Sequence, residues 1–281
     1  MSEIVDLKPI AAQVRRDVVR MVHGVQSGHP GGSLGCADFF VALYGSVMNY
    51  KKGTFSMDGK GEDLFFLSNG HISPVWYSVL ARIAEYFPVN ELGTFRKLNS
   101  RLQGHPATHE KLPGIRVASG SLGQGLSVAI GAALTKTMNN EKTFVFSLHG
   151  DGELQEGQIW EAAMFASAKK VDNLISTIDL NGQQIDGATA DVLPMGDLKK
   201  KFEAFGWTVL EMDGSNLDEI IATLNKAKSL CGKGTPILIL MTTIMGNGVD
   251  FMMHTHKWHG IAPNDEQLSL ALGQLPEEKD Y

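Results

Sequence analysis

Cysteine is scarce. Only Cys36 and Cys231 occur among 281 residues, too few for a disulfide framework or a thiolate metal site, so both are expected to pack as small apolar groups in a reducing cytoplasm. No apolar run approaches the roughly 20 residues needed to cross a bilayer, so no membrane partner is expected. The opening "MSEIVDLKPI" has no basic patch followed by an apolar stretch, and no secretory leader is expected. A basic excess is missing too: 25 Lys+Arg against 31 Asp+Glu leave a formal charge of −6, the wrong sign for broad nucleic-acid binding. Internal repeats, low-complexity tracts and obvious linkers are lacking. The 43% hydrophobic, 20% charged composition is that of a globular chain with a good core. One domain spanning 1–281 is expected, with a polar, loosely held tail at 264–281.

What is plentiful is glycine, with 31 residues, many beside His, Asp and Pro as in loops around a ligand. Between these loops the pattern is regular. Apolar residues at three- and four-residue steps predict a first helix over 7–25, and further helices over 37–48 and 75–87. "SGHPGGSLG" between the first two reads as a loop. A short strand is expected at 64–67. Strands at 144–148, 174–180, 207–212 and 236–242 then alternate with helices at 158–169, 196–205 and 217–229. Strands apolar on both faces and separated by helices predict an α/β fold, a parallel β-sheet with helices on both faces. Ligands sit beyond the carboxyl ends of such strands. There the chain places "SNGH", "HGDGE", "DLNGQ" and "MGNG…HTHKWHG". The helix in "SGSLGQGLSVAIGAALTKT" is built of small residues. Gly125, Ala129, Gly131, Ala132 and Ala133 would allow close approach of a neighbour, or close packing inside the domain.

Two strand ends carry hard oxygen ligands. Asp151 offers a carboxylate, Asn181 an amide oxygen, and the backbone of Gln183 a carbonyl. Magnesium takes such ligands and completes its octahedron with phosphate oxygens and water. Gly150 and Gly152 remove side chains where a phosphate would approach, and the helix after Glu156 presents free N–H groups to it. Gly-Asp-Gly or Asn-Gly alone is a turn. The two together, one strand–helix–strand unit apart, point to a magnesium-bound diphosphate, with calcium or manganese as substitutes.

"GDGELQEG" followed by Asn181 resembles the thiamine diphosphate signature. More narrowly, "SGHPGGSLG", "LSNGHISP", "LQGHP", "ASGSLGQGLSVAIG", "HGDGELQEGQIWEA" and "DLNGQQIDG" resemble transketolase motifs in transketolase order, across 23–263. A usual transketolase is more than twice as long, so the chain resembles the N-terminal, diphosphate-binding subunit of a split transketolase. The resemblance implies thiamine diphosphate as cofactor and transfer of a two-carbon ketol unit between ketose and aldose phosphates. It implies that His29, His71, His105 and a tail histidine line the substrate channel or touch the diphosphate. That tail residue is His256 or His259, since the chain has both. His149, like His29, His71 and His105, is expected in a Gly-rich or polar loop. The backbone of Gly120 and Leu122 would face the aminopyrimidine. Glu156 matches a dimer-interface glutamate, or complements a helix dipole. Relatives often have lysines where this chain has Met245 and Asn247. The activating glutamate and the arginines that grip the sugar phosphate belong to the second domain of the family. The chain is therefore expected to act only with a C-terminal subunit, as a cytoplasmic heterotetramer. A sulfonated or branched ketose as substrate, or a non-catalytic cofactor-holding paralogue, are the alternatives. An alpha-type 2-oxo acid dehydrogenase subunit fits the Gly-His-Pro and "SNGH" loops less well.

Overall fold

The computed structural model describes residues 6–276 and 279–281. The strands are β1 (Leu64–Leu67), β2 (Val145–Gly150), β3 (Leu174–Leu180), a two-residue hairpin of β4 (Gln183–Gln184) and β5 (Gly187–Ala188), then β6 (Thr208–Asp213) and β7 (Ile237–Thr242). The longer five form one all-parallel sheet in the order β1-β2-β3-β7-β6. The helices are α1 (Leu7–Gly24), α2 (Pro30–Gly35), α3 (Ala37–Ala42), α4 (Ser73–Arg82), α5 (Gln124–Met138), α6 (Gly157–Ala168), α7 (Thr189–Val192), α8 (Leu198–Ala204), α9 (Leu217–Leu230) and α10 (Asp265–Gln274).

The two-residue period of the strands sorts the core. Phe65, Leu67, Phe146, Leu148, Ile175, Ile237 and Ile239 face one side, packed with α1, α3, α4 and α9. Leu64, Phe66, Val145, Leu174, Ile178, Leu238 and Leu240 face the other, under α5, α6 and Trp207. Each such fully buried side chain contributes about 1.5–3 kcal/mol, and both faces of every central strand are covered, as a parallel sheet requires. In α5, Gly125, Ala129 and Ala133 face the domain's own interior, with Gly125 against Ser68, whereas a Cβ at Gly131 would meet nothing.

Three expectations change. The "PGGSLG" stretch is not loop but the buried helix α2. Pro30 at its start has no N–H to leave unsatisfied, and the glycines let other backbone close in. A Cβ on Gly31 would lie 2.8 Å from the Trp258 carbonyl and 2.6 Å from Met245 Cγ, and one on Gly35 2.9 Å from the Ile244 carbonyl. The helix expected at 37–48 ends earlier, at Ala42, and runs into a wide turn over Leu43–Val47. The described part of the tail is not loose. Asn264 and Gln267 form a capping box at the start of α10. Arg16 reaches from α1 to the Leu272 and Leu275 carbonyls (2.9 and 2.8 Å) and pairs with Asp280 at 2.6 Å. Arg20 lies over the Tyr281 ring at 4.2 Å. Apolar residues at helical spacing (Leu268, Ala271, Leu272, Leu275) tie α10 to α1, a signal masked by its polar surface.

Gly31→Ala should destabilise the chain by about 1–3 kcal/mol, because the Trp258 backbone cannot retreat. Gly24→Ala, whose added methyl meets nothing within 4 Å, should be neutral or slightly stabilising. Urea midpoints of the two variants check this, and equal midpoints would contradict it.

Candidate active site

Beyond the carboxyl ends of β1, β2 and β3, the loops enclose a cavity of about 400 Å³. Its floor is made by the ends of β2 and β3. Gly150 of β2 is in register with Asp179 of β3, so Asp151 follows directly beside Asp179. Both carboxylates are buried, at 4% and 1% exposure. Asp151 Oδ1 accepts from the Gly152 amide and Oδ2 from the Gly182 amide, both at 2.7 Å. Burial and then the Asp179 charge nevertheless push its carboxyl up to about 7, and burial raises Asp179 as well. Among the described residues no lysine or arginine lines the cavity.

Asp179 acts on its neighbour. It accepts from the Thr243 hydroxyl and, at 2.8 Å, from Asn181 Nδ2, which fixes which end of the Asn181 amide is oxygen. That oxygen accepts from the Gln183 amide at 2.9 Å and keeps a second lone pair. Asn69 Oδ1 is buried in the same cavity without a partner. A Cβ at Gly152 would crowd Gln184 at 3.3 Å, whereas one at Gly150 would make only ordinary contact with Asn69 at 3.8 Å. These residues fit a divalent cation carrying a diphosphate. Asp151, Asn181 and the Gln183 backbone supply hard oxygens, and the two carboxylates need a positive charge that no side chain provides. Among the described residues no cage of three or more His, Cys, Asp or Glu exists, as suits a metal that takes its remaining ligands from phosphate and water.

Four imidazoles line the opposite wall. His29 and His71 lie 5.0 Å apart between ring centroids, His29 and His259 5.8 Å, His71 and His259 5.1 Å, and His29 and His105 6.1 Å. Burial, followed by His259, Arg96 and His105, lowers His29 to about 4. Burial puts His71 well below its ordinary value and lowers His105 and His259. The cluster is therefore neutral near pH 7, and each ring offers one donor and one acceptor. Nδ1 of His29 and of His259 has no partner.

Of the two tail histidines, His259 joins this cluster, and His256 is exposed and outside the cavity lining. Gly120 and Leu122 line the cavity, and Gly120 has a φ of 128° with no room for a Cβ beside His105. Glu156 stands at the rim as the residue before α6, exposed. His149 corrects the loop reading: it lies within β2 at 1% exposure, with Nε2 2.9 Å from Ser147 Oγ. Met245 is buried against Gly31 and Asn247 gives its carbonyl to Arg15, so neither position lines the cavity.

Sequence reasoning passed over Asp179 and Glu153. Asp179 was visible as the last polar residue of its strand, two before Asn181. Glu153 was hidden inside the Gly-Asp-Gly-Glu motif. Its carboxylate accepts from the Gly123 amide (2.8 Å), the Gly150 amide (3.1 Å) and the Ser68 hydroxyl. Burial would raise Glu153, but His149, Ser68 and Gly123 outweigh it and the net shift is downward. One anion thus clamps the loop before α5 to the loop after β2.

Comparison with known proteins shows the family. The family model of the transketolase thiamine diphosphate-binding domain matches residues 7–279. The chain belongs to this family. Thiamine diphosphate is the cofactor that the family domain binds. Over 98% of both lengths the chain is 37% identical to a 6-deoxy-6-sulfo-D-fructose transketolase subunit from Clostridium sp.. Over 97% of both it is 35% identical to one of the apulose-4-phosphate transketolase subunits, from Actinobacillus succinogenes. It is 35% identical to human transketolase, but spans only 39% of it. Transketolase from Leishmania mexicana superposes with a TM-score of 0.88 at 28% identity, over 99% of this chain and 42% of that one. The chain is thus of the N-terminal, separate-subunit kind of transketolase. No helix among the described residues is long and apolar enough to cross a membrane.

The lowered His29 has a sign that can be checked. An unfolded chain takes up this proton near 6.5, the folded one only near 4, so the group removes stability as pH falls from 6.5 toward 4. Nitrogen NMR of labelled histidine should find His29 neutral at pH 5.5; protonation between pH 6 and 7 would contradict the buried cluster. Glu153→Gln presents an amide hydrogen to donors that need an acceptor. It should cost about 1–3 kcal/mol and loosen the cofactor pocket, seen as a lower denaturation midpoint. An unchanged midpoint would mean the clamp is not made.

Proposed function

We propose that this chain holds magnesium and thiamine diphosphate and, with a separate C-terminal subunit, transfers a two-carbon ketol unit between ketose and aldose phosphates. The observation that carries the metal is the buried Asp151–Asp179 pair with no lysine or arginine around it. A diphosphate placed there alone would meet two carboxylates at close range in a poorly hydrated site. A divalent cation between them reverses the sign of that interaction. Asp151, Asn181 and the Gln183 carbonyl would hold the cation, and calcium or manganese would serve in its place. The Gly150 and Gly152 backbone and His71 would meet the diphosphate, with Glu156 at the rim and Gly120 and Leu122 toward the aminopyrimidine.

Thiamine diphosphate supplies, when bound, the carbon that carries the two-carbon unit. The chain's own residues handle hydroxyls and protons. Neutral His29, His71, His105 and His259 can each donate to a sugar oxygen and accept a proton from another. The cluster sits on one wall only. The other wall, with the carboxylate that activates the cofactor, is assigned to the partner, two copies of each chain forming the assembly in the cytoplasm. Exposed apolar residues on the α5 and α6 side (Val128, Met138, Met164, Phe165) and the open space over Gly131 suit that docking. A sulfonated or branched ketose as the substrate is a second reading, favoured by the full-length relatives named for such sugars.

Titration of thiamine diphosphate into the assembled two-chain complex tests the metal. Asp151→Ala should weaken magnesium-dependent binding by more than about 100-fold and Asn181→Ala by about 10-fold or more, with folding unchanged. Wild-type affinity in Asp151→Ala would overturn the site. In turnover assays His259→Ala should lose about 100-fold or more and His256→Ala less than about tenfold. The lone chain should transfer no ketol unit, and light scattering should show two of each chain once the partner is added.

A further inference from the structure

A second cavity, of about 540 Å³, adjoins the first. His105 lines both. Arg96 dominates the second. The other six arginines of the chain each pair with an Asp or Glu: Arg15, Arg16, Arg20, Arg82, Arg101 and Arg116. Arg96 forms no ion pair among the described residues, and its buried Nε has no hydrogen-bond partner at all.

The side chain is nonetheless fixed in place. It lies flat on Gly104, where any Cβ would collide with its guanidinium. Nη1 donates to Ser27 Oγ at 2.9 Å. Its backbone, at a φ of 54°, is left-handed, and its amide is bonded to the Leu102 carbonyl at 2.8 Å. Burial lowers its pKa with no carboxylate to oppose the effect, and its charge helps to keep His29 and His105 neutral. A cation held rigidly, partly desolvated and without a counter-ion calls for an anionic ligand. A planar guanidinium presents paired donors that match tetrahedral oxyanions. Ser27, whose oxygen accepts from Arg96, still has its own hydrogen to give. The one acid on the cavity wall, Glu110, is turned to His109 at 3.1 Å.

We propose that Arg96, with Ser27 and His105, binds the terminal anionic group of the sugar substrate, a phosphate or a sulfonate. The proposal rests on the ketol-transfer reading above. It places part of the recognition of the charged sugar end on this chain, beside the histidines that meet the hydroxyls. Arg96 is in this account a substrate-binding residue, and Gly104 a positioning one.

Two measurements keep the subsite separate from the reaction. In the two-chain enzyme, kcat/KM is measured for glyceraldehyde phosphate and for glyceraldehyde. Arg96→Met should lower the ratio of the two by about 10- to 100-fold. Arg96→Lys should recover part of it, and Ser27→Ala should lower it by a smaller factor. Taking the ratio cancels any change in His29 or His105 common to both acceptors. Equal losses on both acceptors would overturn the subsite. On the lone chain, inorganic phosphate and methanesulfonate are titrated while the His105 imidazole is followed by NMR. Either ion should shift it in the wild type and neither in Arg96→Met, and the tighter ion identifies phosphate or sulfonate as the native end group. No shift with either ion in the wild type would overturn the proposal. Absence of ketol transfer by the wild-type pair would refute the functional reading and leave this titration to decide the subsite.

Discussion

Two carboxylates that end adjacent strands, with no lysine or arginine among the described residues that line their cavity, are the constraint on which the site depends. Parallel pairing forces Asp151 and Asp179 together, because Gly150 and Asp179 share a register. Burial then makes their joint ionisation costly, which is why the Asp151 carboxyl is pushed up to about 7. Backbone amides of Gly152 and Gly182 offset part of this cost but not the repulsion. The proposed cation would relieve it, and a diphosphate would balance the cation. The arrangement stores a binding preference in the sheet itself, before any ligand arrives.

Around that floor the electrostatics are inverted. The histidine wall carries no net charge, because burial and mutual proximity hold the rings neutral. Arg96 adds a fixed positive charge behind them that discourages protonation further. In the proposed reading, hydroxyl recognition, metal binding and recognition of the sugar's charged end would be divided among neutral rings, paired carboxylates and one unpaired guanidinium. Glu153 ties these parts together, as its carboxylate bonds loops from three segments of the chain. In the proposed assembly a partner subunit would dock on the exposed side of α5, around Val128, Gly131 and Met138.

Much of this was legible in the sequence, because the strands are short, apolar on both faces and spaced by amphipathic helices. The motif pair "HGDGE" and "DLNGQ" located the floor, since a strand end cannot hide its last polar residues. Less legible were features set by tertiary contact. Pro-Gly-Gly-Ser-Leu-Gly has the composition of a loop and becomes helix α2 because other backbone must pass within reach of its glycines. His149 shares a Gly-rich neighbourhood with true loop histidines, yet the strand continues through it and buries it. His256 and His259 are equivalent by motif and are separated only by which one the final turn aims inward. The polar tail concealed its docking because the partners, Arg16 and Arg20, stand more than 250 residues earlier in the chain.

In the proposed function a divalent cation at the ends of β2 and β3 joins Asp151 to a diphosphate. The most direct test is a crystal structure of this chain with its partner subunit, grown with manganese and thiamine diphosphate, using the anomalous signal of the metal. One peak is expected within bonding distance of Asp151, the Asn181 side-chain oxygen and the Gln183 carbonyl, with diphosphate oxygens completing the shell. A bound cofactor whose diphosphate lies elsewhere, or an anomalous map with no peak between Asp151 and Asn181, would contradict it.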